Sequence, residues 1–476
     1  MTNLLAPADI RINGARPWDI EVHDRRFFNR VLASGTLGLG ESYMDGWWDC
    51  DALDEMCCRA IRAGLEKRFA FRLPNVWALL TALIANQQTL RRSRKVGWVH
   101  YDLSNDFFEA MLDPNMQYSC ALFTQGDDLA SAQLRKLDWI CERLHLRPGL
   151  RLLDIGCGWG GLARYAARRY GCQVVGITIS REQFRYARRW CHGLDVEIQL
   201  RDYREVTGQF DRVVSVGMVE QVGYKNYRTY MRTAARSLSE DGLFLCQGIC
   251  GNASRVYTDP WIERYIFPNS MLPSLARLTR AAEGVFIIEE VKNIGQNYDP
   301  TLLAWEENFR RTWPRFADRY GERFLRMWRF YLLSCAGAFR ARSLQVFSIL
   351  FSKERSATGI GVRDQRQTAS IAPGSSRARA EKRKPLVKCQ MLRCNPTFLF
   401  PRVRGRKVKC HAQPVQSLLA AATGGRKLLE FRRDPLSHLL RKTTKTTSNS
   451  ARWKITMEYY PSPRWHPGEL FLHLTF

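Results

Sequence analysis

Between residues 150 and 250 short segments rich in apolar residues are separated by stretches of helical spacing. The runs at 152–155 (LLDI), 174–179 (VVGITI), 196–200 (VEIQL), 213–216 (VVSV) and 243–246 (LFLC) predict strands. A glycine-rich turn and a helix to about residue 169 follow the first run, and 181–191 predicts a second helix. Strands alternating with helices predict a parallel sheet covered on both faces. Upstream, residues 1–95 read as a small, mainly helical region. It holds the aromatic segment FFNRVLASGTLGLGESYMDGWW (27–48), a helical stretch around 74–90 and a solvated connector, RRSRK, at 91–95. Residues 300–350 read as helical and aromatic-rich. After about residue 363 periodicity is lost and Gly, Ser, Arg, Lys and Thr dominate, which predicts a disordered extension. The division expected is 1–95, 96–363 and 364–476.

Charge first suggests nucleic acid: 73 Lys+Arg stand against 46 Asp+Glu, a formal net charge of +27. Its placement removes that reading for the body. Residues 361–476 hold 24 basic and 6 acidic side chains, +18, which leaves +9 for the first 360. No apolar stretch approaches the roughly 18–20 residues that span a bilayer. The N-terminus lacks the basic, apolar and small-residue succession of an export signal, so a cytoplasmic protein with reduced thiols is expected. None of His23, His100, His145 or His192 has metal-ligand spacing, and Cys389, Cys394, Cys410 and His411 fit no ordinary zinc finger; no metal is expected.

The densest local signal is LLDIGCGWGG, 152–161, in which a strand ends at Asp154 and glycines at 156, 158 and 161 turn the chain into a helix. Such glycines let a ligand approach the bare backbone at a helix N-terminus. The pattern also satisfies GxGxxG, so a dinucleotide site competes, as does a plain strand-to-helix turn. The strand segment VVGITIS does not itself end in the acidic residue that would hold a nicotinamide cofactor's ribose. Asp two residues before the first glycine instead resembles motif I of S-adenosylmethionine (SAM) methyltransferases.

Eight ordered blocks widen that likeness. They are GLGESYMDGWW (38–48), HYDLSNDFFEAMLDPNMQYSCALF (100–123), LLDIGCGWGGLARYAA (152–167), VVGITISREQ (174–183), FDRVVSVGMVEQVG (210–223), DPWIERYIFPNSMLPS (259–274), NYDPTLLAW (297–305) and CAGAFRAR (335–342). Together they resemble the cyclopropane-fatty-acyl-phospholipid synthases and the related mycolic acid cyclopropane synthases, from about residue 10 to about 363. The fold implied is α/β, a Rossmann-like SAM-dependent methyltransferase sheet with a small helical N-terminal domain. The activity implied is transfer of the SAM methyl carbon to a cis double bond of a phospholipid acyl chain, followed by ring closure. An alkene is a weak nucleophile, so the sulfonium must be held close and in line. Attack leaves a carbocation that wants aromatic faces and no stray water, and a base must take a proton from the transferred methyl.

In this family the resemblance assigns that base to a bound bicarbonate. Its positions map onto Cys120, Glu220, Gln247, Ile249 and Tyr298. Gln247 stands where the usual pattern has His, and Gln221 where many relatives have another His. A glutamine amide donates hydrogen bonds but carries no proton between groups. Cys120 by itself reads as a small buried residue and not as a nucleophile. For SAM the resemblance implies Gly156 and Gly158 at the methionine portion, Tyr118 and Ser119 closing over it, Thr178, Ile179 and Gln183 toward the ribose, and Tyr203 and Arg204 at the adenine edge. It further implies unsaturated bilayer phospholipids as partners, peripheral association with the inner membrane face and a homodimer. The competing readings are methyl branching of the same alkene, or a degenerate relative acting as a basic binding protein. The tail past 363 has three readings: a lipid-docking arm, a nucleic-acid arm, or an unadapted extension outside the family pattern.

Overall fold

The computed structural model describes residues 2–65 and 103–353, and in addition two short strands at 454–457 and 472–475. The chain divides into two compact units, Met1–Ser376 and Arg377–Phe476. The expected helix around 74–90 and the connector at 91–95 lie outside the described residues.

The N-terminal region of the first unit is helical, with Arg26–Ser34 (α1), Thr36–Met44 (α2) and Leu53–Arg62 (α3). Buried Phe27 and Val31 are one turn apart on α1, the spacing of a single packed face. Asn105–Met111 (α4) and Leu129–Arg143 (α5) follow. The sheet layers come next: Arg151–Ile155 (β1), Gly161–Tyr170 (α6), Gln173–Thr178 (β2), Arg181–Trp190 (α7), Val196–Leu200 (β3), Phe210–Val216 (β4), Tyr227–Ser237 (α8) and Leu238–Gly251 (β5). The chain then runs through Pro260–Tyr265 (α9), Leu275–Ala282 (α10), Phe286–Asn293 (β6), Tyr298–Thr312 (α11), Ala317–Arg340 (α12, broken at Gly321) and Leu344–Lys353 (β7).

The seven strands lie in the order β3-β2-β1-β4-β5-β7-β6. β1 to β5 pair in parallel, and β7 runs antiparallel between β5 and β6. Strand order therefore reverses at β1, where β1 pairs with β2 on one side and β4 on the other. Such a switch point opens a crevice at the carboxyl ends of the strands.

The expected helix over 300–350 holds only to Arg340; residues 344–353 form the strand β7, and β6 was not anticipated. β7 is covered on both faces, with Val346, Ile349, Leu350 and Phe351 all buried. Its apolar run therefore lacks the alternation that separates a strand from a buried helix. β6 is an edge strand whose Ile287, Ile288 and Val291 stay exposed, so its pattern gives little signal.

An aromatic core joins the N-terminal helices to α4, α11 and α12. Phe107 sits at its centre, edge-on to Phe309, Phe316 and Trp328 at centroid distances of 5.7, 5.6 and 5.1 Å. α3 and α12 touch at Gly337, where a Cβ would fall on the Asp54 carbonyl and 2.9 Å from Cys57 Cβ. Arg340 fixes the same contact through Asp54 at 2.6 Å and Glu55 at 3.4 Å, and ties α12 to α11 through Asp299 at 2.9 Å. In the second unit, Lys454–Met457 pairs antiparallel with Leu472–Thr475.

Candidate active site

At the carboxyl end of β1 the chain enters a left-handed turn, with φ of 84° at Gly156 and 55° at Gly158. A Cβ at Gly156 would lie 2.9 Å from Met218 Cγ; at Gly158 it would meet nothing within 4 Å, because that face opens on a cleft. The cleft holds about 1360 Å³ including its mouth, ample for a ligand built of a nucleoside and an amino acid. Tyr118, Ser119, Gly156, Gly158, Thr178, Ile179, Gln183, Tyr203 and Arg204 all line it. The sequence-derived cofactor set is thus brought together in one place.

Each wall is held locally. Ser180 caps α7 by accepting from Gln183 N, and Thr178 Oγ1 donates to Gln183 Oε1 at 2.9 Å, which orients that amide. Asp202, just past β3, accepts two hydrogen bonds of 2.8 Å from the Arg204 guanidinium. That guanidinium lies 5.1 Å from the Tyr203 ring centroid. Tyr203 itself packs edge-on against Tyr230, and its buried hydroxyl has no partner. Asp154 is buried with Oδ2 unpartnered, and burial raises its pKa to about 7 against the pull of Lys136.

A second group lies behind the wall formed by Met218, Gln221 and Val222. Glu220 is buried there; its Oε1 accepts from Ile249 N at 2.7 Å and its Oε2 has no partner. Burial raises its carboxyl to about 7, with the Ile249 N–H pulling the other way. Gln247, buried at two positions before Ile249 on β5, also has an unpartnered Oε1. Tyr298 starts α11, and charge on Cys120, Tyr118 or Glu220 would act on its hydroxyl, which burial holds well above the usual range. Cys120 is buried, its thiol pushed up by desolvation and directed at the Ala121 and Ile294 carbonyls at 3.4 and 3.7 Å. That is the environment of an inert thiol.

The two groups share one strap, residues 117–120. Tyr118 and Ser119 face the cleft, while Cys120 belongs to the second group. Tyr118 lies 5.1 Å from the Trp305 ring, and Tyr298 lies 5.9 Å from the same ring. Asp154, Asp202, Met218, Gln221 and Asn269 also line the cleft and were not among the sequence-derived site residues. For Asp154 and Asp202 a signal existed: each is a carboxylate at or just past the end of an apolar strand. Among the described residues no cluster of His, Cys, Asp or Glu is arranged for a metal.

A doubly wound sheet with a glycine turn after its first strand and a cleft at the switch point is common to dinucleotide-binding proteins and SAM-dependent methyltransferases, and similarity to known proteins puts this chain in the second class. The family model of mycolic acid cyclopropane synthetase matches residues 88–349. The chain is 51% identical over 350 residues to the cyclopropane-fatty-acyl-phospholipid synthase of Escherichia coli K12, covering 74% of this chain and 92% of the relative. It is 34% identical over 348 residues to the tuberculostearic acid methyltransferase UfaA1 of Mycobacterium tuberculosis, covering 68% and 81%. Among solved structures, the mycolic acid cyclopropane synthase CmaA1 complexed with SAH and CTAB superposes with a TM-score of 0.52 at 29% identity, over 55% of this chain and 98% of that one. The chain belongs to the cyclopropane synthase family of SAM-dependent methyltransferases.

Proposed function

We propose that this chain transfers the SAM methyl carbon to a cis double bond of an unsaturated phospholipid acyl chain and closes a cyclopropane ring. The observation that carries the reading is a buried, unpaired carboxylate, Glu220, behind the wall of a SAM-type cleft, in a chain 51% identical to a synthase of that name. When bound, SAM supplies an electrophilic methyl on a sulfonium. The glycine turn, the strap and Gln183 would hold it, with Tyr203 available to its adenine. The alkene carbon would take the methyl as the S–CH3 bond breaks and S-adenosylhomocysteine leaves as a neutral thioether, which puts positive charge on the neighbouring carbon. The faces of Tyr118, Tyr298 and Trp305 stabilise that charge, and the dry pocket keeps water from capturing it. A proton then leaves the transferred methyl, and its bonding pair closes the ring.

The site suits bicarbonate as the proton acceptor. Glu220 Oε2 and Gln247 Oε1 are buried acceptors able to take its O–H, and a carboxyl poised near 7 is also a donor in part of the population. Glu220, Gln247, Tyr298, Cys120 and Ile249 would hold it, and it would supply the base. In this structure the Ile249 N–H is engaged by Glu220. Because phospholipids reside in bilayers, the reading includes peripheral docking of a cytoplasmic enzyme on the inner membrane face; among the described residues no helix is long and apolar enough to cross a membrane. A homodimer is carried by the family resemblance. The division at residues 95 and 363 is likewise part of the proposal.

Incubation with SAM and vesicles of cis-unsaturated phospholipid tests it. Acyl chains that gain one CH2 and lose their vinylic protons by NMR are expected. A methyl branch would overturn ring closure, and absence of any product despite SAM binding would overturn the activity.

A further inference from the structure

Lys136 of α5 is fully buried, the one lysine so placed among the described residues. Among the described residues no carboxylate forms an ion pair with it, although Asp113 and Asp154 act on it through space. Its Nζ instead donates to Gln117 Oε1 at 2.6 Å and Ser119 Oγ at 2.9 Å, both on the strap that walls the cleft. A desolvated ammonium is costly, so its place must be settled by what it holds.

The strap has further ties. Gln133, one turn before Lys136, donates to the carbonyls of Gln117 and Ser119 at 3.3 and 2.9 Å. Asp113 accepts from the Asn115 and Gln117 backbone N–H groups, both at 2.8 Å. Beyond the strap, Ala121 N donates to Thr301 Oγ1 and Phe123 N to Asn297 Oδ1. Two strap side chains are tied elsewhere, Tyr118 by its hydroxyl to that of Tyr331 at 3.0 Å and Cys120 by its thiol to the Ile294 carbonyl at 3.7 Å; Lys136 grips two strap side chains at once, through charge-assisted bonds.

We propose that Lys136 is a positioning residue that fixes the 117–120 strap over the cofactor cleft, and through it the Tyr118 and Cys120 ends of the two half-sites. This rests on the reading of the cleft as the SAM site. The ionisable groups facing it are Asp113 and Cys120 from the strap side and Asp154 from β1. Burial lowers the ammonium to about 8, opposed by those three groups. Above that pH the neutral amine grips the strap less firmly, and SAM affinity falls. Asp154, near 7, contributes only a limb below that, and the Cys120 thiol titrates far above it.

Isothermal titration of the full chain with SAM, from about pH 6 to 9, tests the proposal. Binding by the wild type at pH 7 tests the cleft assignment separately. Lys136→Met keeps the volume and removes the charge, so its affinity at pH 7 should fall about tenfold to a hundredfold. It should also lose the alkaline limb centred near 8 while keeping native circular dichroism. Affinity within twofold of wild type, or an unchanged alkaline limb, overturns the proposal. If that variant does not fold, Lys136→Gln, which keeps an amide donor but carries no titrating charge, decides: a limb near pH 8 diminished relative to wild type supports the role, and a limb unchanged from wild type overturns it.

Discussion

Glu220→Gln tests the site by its cost to stability as well as by its chemistry. The substitution keeps Oε1 as acceptor for the Ile249 N–H and removes only the ability to ionise. In the folded chain burial holds Glu220 at about 7, up from 4.5. The native state therefore binds a proton that the unfolded chain has already lost between those two pH values. Stability falls with rising pH across that window and is flat above it. A rise of this size corresponds to an upper bound of about 3 kcal/mol. Relative to wild type, Glu220→Gln should be close to neutral at pH 4.5 and gain progressively up to pH 7, approaching that bound. Any constant cost of the extra amide N–H shifts the whole curve but not its slope. Paired urea unfolding curves across the pH range measure the difference, and Asp154 and other titrating groups cancel from it. Turnover should be nearly abolished while SAM affinity stays within about twofold. A stability difference independent of pH would refute the buried-carboxylate argument, and retained turnover would refute the role assigned to Glu220.

Three further outcomes follow from the packing. Gly156→Ala places a side chain at φ 84° and 2.9 Å from Met218 Cγ; backbone strain of about 1–2 kcal/mol with displacement of that wall should weaken SAM binding about tenfold or more, read by titration calorimetry. Gly337→Leu drives a side chain between α12 and the Asp54–Cys57 backbone of α3, and should lower stability by about 1–3 kcal/mol, seen as an earlier urea midpoint. Truncation after residue 363 should leave SAM affinity and methyl transfer unchanged, and loss of either would show that the tail serves the reaction.

Strands β1, β2 and β4 were legible to within a few residues because inner parallel strands bury both faces and write nearly continuous apolar runs; β3, at the sheet edge, buries only Ile198 and was legible from its alternation, VEIQL. β5 is the partial exception: only 243–246 was read, while the strand extends over Leu238–Gly251, polar at Glu240 and Asp241. Of the cleft, the glycine turn after β1 was legible from the residues themselves; the rest of the set came from the family resemblance, since its pieces lie far apart in the chain and only the fold brings them together. Lys136 was not. In AQLRKLDWICER it reads as one more charge on an amphipathic helix, and nothing local tells that its face is roofed by a strap from 117–119. Nor was the Glu220–Ile249 contact readable without the resemblance, since it spans 29 residues and two strands.

Counting charge misled at first for the same reason that counting hydrophobic residues misses function. Many surface arginines of the body are neutralised in place: Arg16 by Asp9 and Asp19, Arg30 by Glu41 and Asp45, Arg340 by three carboxylates. They hold the N-terminal helices together and to α12. Around the cleft the arrangement is reversed. Lys136, Asp154 and Glu220 are buried, and none forms an ion pair among the described residues. Such groups weaken the fold, and they are tolerable only where a large aromatic and apolar core stabilises it. A formal charge of +27 sums these populations with the tail and conceals that the three charges nearest the chemistry are the ones removed from water.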